Sequence, residues 1–99
     1  MRLPLAKHNA LLLVDELERL IRDTPEDEVS PDAFASATRL LASLEQAPVP
    51  PELLETRLAR LRGWVETMLL QARHAKSSPV KTGILVDVSE LRSLIASAP

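Results

Sequence analysis

Ninety-nine residues, 45% of them hydrophobic and 26% charged, suit one globular domain and are too apolar for a wholly disordered chain. Twelve basic against fourteen acidic side chains leave a net charge of -2, so the overall balance is not that of a nucleic-acid binder. No cysteine is present, which excludes disulfides, thiol catalysis and cysteine-ligated zinc or iron–sulfur sites. The two aromatic residues, Phe34 and Trp64, are too few for a base-stacking platform.

The N-terminus offers five consecutive apolar residues, Ala10 to Val14, before Asp15-Glu16 closes the run. A signal peptide needs about 7–15 apolar residues and a spanning helix about 20, so a cytoplasmic chain with no membrane segment is expected. Segment 1, Leu5 to Arg22, sets Ala10, Leu13, Leu17, Leu20 and Ile21 at helical spacings with acids between them, an amphipathic helix. Thr24-Pro25 ends it. Ser30-Pro31-Asp32 is a strong helix start, since serine caps the first turn and proline suits its first position. Phe34, Ala37, Leu41 and Leu44 then carry segment 2 to about Gln46. The connector Ala47-Pro48-Val49-Pro50-Pro51 is stiff and short, and should reverse the chain between packed helices.

Segment 3 is the longest. Leu54, Leu58, Leu61, Val65, Met68 and Ala72 alternate four- and three-residue steps without a break. Lys76-Ser77-Ser78-Pro79 reads as its end, and 77–83 as a linker. Beyond it, Ile84-Leu85-Val86 has strand composition, and Asp87 with Glu90 three residues on reads as a capping box opening a helix from Val88 to about Ser97. The fold expected is all-α: a three-helix bundle over 1–76, then a short fourth helix over 84–99 with a very short extended piece before it. That C-terminal piece packs on the bundle or on a partner, where Ile84 to Val86 could add to a sheet edge.

Catalytic chemistry is poorly served. His8 and His74 lack carboxylates at helical ligand spacing, the acids of Asp23 to Glu28 lack the calcium-loop order, and no serine sits in a nucleophile-elbow context. Two glycines cannot build a phosphate cradle. No enzyme activity, metal, cofactor or small-molecule substrate is expected.

Surface features point to association instead. Residues 52–82 carry three acids and six bases, whereas 1–32 carry eight acids and four bases. Arg57, Arg60, Trp64 and Gln71 gather on one flank of segment 3, and arginine and tryptophan dominate interface energetics. They form either a partner-binding stripe or a bundle edge, with Trp64 capping the core and the arginines paired with segment 1 acids such as Glu18. Neighbouring leucines point about 100° apart on a helix, so one core cannot easily bury both members of every doublet. Leu12, Leu53, Leu69 and Leu70 are therefore the residues expected to mediate self-association, as a homodimer or with another protein. The alternative is a small DNA-binding regulator using Arg57, Arg60, Arg62, Arg73, Lys76 and Lys81 on phosphates. The proline-rich connector, with Glu52 and Glu55 heading the would-be recognition helix, argues against it.

Overall fold

A computed structural model describes residues 5–25, 31–70 and 78–98, without the side chains of 69, 70 and 78–80. Among the described residues four helices make up the fold: α1 (Lys7–Asp23), α2 (Pro31–Leu44), α3 (Pro51–Leu70) and α4 (Ser78–Ala96). Among the described residues there is no strand. Helix α1 packs on α2 and α4, and α3 packs on the same two, so the helices close a ring around one apolar core.

The periodicity of each segment appears directly in what it buries. Helix α1 buries Ala10, Val14, Leu17 and Ile21, with Val14 inward where Leu13 and Leu20 were expected and are only partly buried, and α2 buries Ala33, Ala37, Leu41 and Leu44. Leu54, Leu58, Leu61, Val65 and Met68 of α3 are all buried, as the unbroken seam requires. Burial of each such leucine, isoleucine or methionine contributes about 1.5–3 kcal/mol. Phe34, expected on the buried face of α2, is half-buried, because Ala33 takes the inward position beside it.

The ends of α1 show how local chemistry sets boundaries. Thr24 closes it by donating both its backbone N–H (3.2 Å) and its hydroxyl (2.7 Å) to the Leu20 carbonyl. Lys81 Nζ then donates to the carbonyls of Arg22 (2.8 Å) and Thr24 (3.1 Å), covering acceptors that a helix C-terminus leaves unpaired. The arrangement is reciprocal: Lys7, in the first turn of α1, donates to the Ala98 carbonyl just past α4 (3.1 Å). These contacts fix α1 and α4 antiparallel. The Leu5 N–H donates to the Gln46 carbonyl (2.8 Å) and ties the entry to α1 to the exit from α2. Pro51 is the first residue of α3, where its missing N–H has no helical acceptor to lose, and Val49 and Ala47 anchor the connector in the core.

The C-terminal third corrects the sequence reading. Residues 78–83 are not a linker and Ile84 to Val86 are not extended; all belong to α4, which at 19 residues is longer than the 17 of α1. Pro79 reads as a stop in sequence but sits in the first turn, where proline is tolerated. Asp87 and Glu90 lie in the middle of the helix rather than capping its start. Ile84, Val88, Leu91 and Ile95 are fully buried in the common core, so α4 is an integral fourth member. Ser30, Gln71, Ala72, Arg73, His74 and Lys76 lie outside the described residues.

Candidate functional site

The flank of α3 singled out in sequence faces α4. Arg57 pairs with Glu90, Arg60 Nη2 lies 3.3 Å from Asp87 Oδ1, and Trp64 packs against Gly83. Numbers rise along α3 as they fall along α4, so the three contacts form one antiparallel seam. At its upper end, a Cβ placed on Gly83 would lie 3.0 Å from the Trp64 ring. Glycine at 83 is what lets the two helices close over the indole. Trp64 is half-buried and packed against the core, so it takes the bundle-edge position. The arginines choose acids of α4, not Glu18.

Glu18 has other partners. Arg92 bridges α4 to α1, with Nη1 3.0 Å from Glu18 Oε1 and Nη2 2.8 Å from Asp15 Oδ1. Arg22 Nε, one turn along α1, lies 3.4 Å from Glu18 Oε2. The hydrogen bond from Arg92 holds the Glu18 carboxyl below its ordinary pKa, against the opposing effect of burial, and Arg22 adds to the lowering. Burial works to lower Arg92, but its bonds to Glu18 and Asp15 outweigh that and leave it raised.

Asp87 is the most unusual polar group of the seam. Its side chain is 4% exposed, and Oδ2 is buried with no hydrogen-bond partner among the described residues. An unsatisfied buried acceptor costs about 1–3 kcal/mol, so Arg60 is the one counterweight among the described residues to a costly group. The fit of Arg57 and Arg60 to Glu90 and Asp87 was open to sequence reading, since both pairs are three residues apart. Gly83 opposite the only tryptophan carried no such signal.

Other surfaces are less organised. A groove of about 710 Å³ runs between the α2–α3 connector and α3, with Ala47, Val49, Leu54 and Leu58 in its lining and the Glu45–Arg62 ion pair at its rim. Among the described residues no group of three His, Cys, Asp or Glu could hold a metal ion, and His8 is exposed. No helix of the described residues is long and apolar enough to cross a membrane.

Of the expected self-association residues, Leu12 is 48% exposed and Leu53 is 50% exposed; the side chains of Leu69 and Leu70 lie outside the described residues. Leu12 points away from the buried row of α1, whereas its neighbours Leu11 and Leu13 pack against the core. Val86, on α4, is the third large apolar side chain left exposed among the described residues. Compared with protein-family models, curated proteins and solved structures, the chain matches none.

Proposed function

We propose that this chain is a non-enzymatic protein–protein interaction module, a small self-associating adaptor or regulatory protein of the cytoplasm acting through apolar helix surface. The observation that carries this reading is the half-exposure of Leu12 and Leu53 in a chain whose four helices already supply a filled core. Exposed apolar side chains that join into a contiguous patch favour contact with another protein. Arg60 and Trp64 also border a shallow cup with Ala59, Gly63 and Thr67, a second surface for a protein partner. Duplex binding gains no support, because Arg57, Arg60 and Arg62 each face an acid of the same chain.

Light scattering coupled to size exclusion tests the proposal over a wide concentration range at two salt levels. A dimer mass, or a mass rising towards it with concentration, is expected. A monomer mass throughout refutes self-association.

A further inference from the structure

Residues 1–4 directly precede Leu5, and Leu5 marks where they join the fold. Its N–H donates to the Gln46 carbonyl (2.8 Å), its side chain packs against the core, and Ala6 holds extended backbone (φ -66°, ψ 147°) before α1 begins. Gln46 is also a lining residue of the groove between the α2–α3 connector and α3. The chain therefore enters α1 at the mouth of that groove. The other segments outside the described residues start elsewhere. Residues 26–30 join α1 to α2 and 71–77 join α3 to α4, leaving from the opposite ends of those helices. Residue 99 follows α4, which makes no contact with α2 among the described residues.

The groove matches residues 1–4 in chemistry as well as in place. Ala47, Val49, Leu54 and Leu58 give it an apolar base, and Glu45, Glu55 and Arg62 stand along it as the charged residues. Arg62 is taken by Glu45, which leaves exposed Glu55 as a carboxylate with no ion pair among the described residues. Met1-Arg2-Leu3-Pro4 offers a cation and a leucine on adjacent residues. Proline at 4 disfavours helical backbone at Leu3, in keeping with the extended course already set at Ala6. Adjacent side chains of an extended chain point to opposite sides, so Leu3 turned to an apolar base leaves Arg2 for the charged rim. Two extended residues span about 7 Å, which puts Leu3 within reach of a groove that begins at Gln46. We infer that residues 1–4 form an arm that docks in this groove of their own chain, with Leu3 on Val49 and Leu54 and Arg2 beside Glu55. While the arm is in place, the groove is closed to other apolar segments. The inference does not depend on self-association, since a single chain carries both arm and groove.

Nuclear magnetic resonance of the full chain, labelled at leucine and valine methyl groups, tests this, with circular dichroism to confirm that each variant is folded. Overhauser contacts are expected between the Leu3 methyls and those of Val49 and Leu54. Leu3→Ser should abolish them and lower the unfolding temperature by about 4 °C or more. Arg2→Glu should weaken the contacts, and adding Glu55→Arg should restore them by exchanging the two charges. Leu3 methyls at the shifts of an unstructured leucine, without contact to the groove, overturn the inference. An unfolding temperature unchanged in Leu3→Ser overturns it as well. Failure of Glu55→Arg to restore contacts weakened by Arg2→Glu overturns the Arg2–Glu55 pairing. In a mixture of labelled and unlabelled chains, contacts that cross between molecules mean that copies exchange arms; that result overturns docking within one chain while supporting the self-association proposed above.

Discussion

Two glycines in helix interiors give opposite expectations for the same substitution. Alanine is favoured over glycine in a helix by about 1 kcal/mol, because it removes backbone freedom from the unfolded chain. At Gly63, in α3, an added Cβ meets nothing within 4 Å, so Gly63→Ala should gain nearly that full amount. For a domain of this size about 1 kcal/mol corresponds to a rise of about 4–8 °C in Tm. At Gly83 the same methyl group would stand 3.0, 3.2 and 3.3 Å from three carbons of the Trp64 indole, inside normal carbon contact distance. Overpacking of this kind costs about 1–3 kcal/mol, so the helix gain is cancelled and Gly83→Ala should lower stability by about 1 kcal/mol. Trp64→Ala alone should cost about 2 kcal/mol through lost contact at the seam. In that background the obstruction is gone, and Gly83→Ala should stabilise by about 1 kcal/mol, a coupling of about 2 kcal/mol between the two sites. Thermal and urea unfolding followed by circular dichroism would read all five proteins. A Gly83→Ala variant that gains as much as Gly63→Ala, or a cycle without coupling, would show that α4 does not close over Trp64.

Arg60→Ala leaves both oxygens of a buried carboxylate without a partner and should destabilise the fold by about 2 kcal/mol in urea unfolding; after Asp87→Ala the same change should cost almost nothing, and an equal cost in both backgrounds would sever the Arg60–Asp87 link. Glu18 has a lowered pKa in the folded chain, so its pairing with Arg92 stabilises at pH values above the ordinary glutamate range and is lost as pH falls through the lower folded value. The stability gap between wild type and Glu18→Gln should accordingly be widest near neutral pH and close in acid, and a gap that does not change with pH would contradict the assignment.

The core was legible because burial acts on spacing alone. Leu17 and Ile21, Leu41 and Leu44, and Leu58 and Leu61 recur at helical intervals and are buried where those intervals put them, whereas Leu13 and Leu20 of the segment 1 row are only partly buried and Val14 takes the inward place. Helix boundaries were less legible where one residue type serves two purposes. A serine–proline pair reads as a start at Ser30-Pro31 and as a stop at Ser78-Pro79, although proline fits a first helical turn as readily as it ends one. Leu12 and Leu53 were placed outside the core from the doublets alone, since the turn between adjacent helical residues decides which of the two can face inward.

The reading of Asp87 and Glu90 shows where local sequence runs out. An acid followed three residues later by glutamate is the spacing of a capping box, and it is equally the spacing at which two side chains share one helix flank. Nothing within α4 separates these meanings. The discriminating information lies on α3, where Arg57 and Arg60 repeat the same interval in reverse order, so that an antiparallel neighbour matches both acids at once. Once both acids are matched there, and Lys81 and Arg92 are taken up by α1, the charges of α4 lie on its two flanks and its outward side carries Thr82, Val86, Ser89, Ser93 and Ala96. Intrachain pairing and the bare helix face are thus two consequences of one charge arrangement.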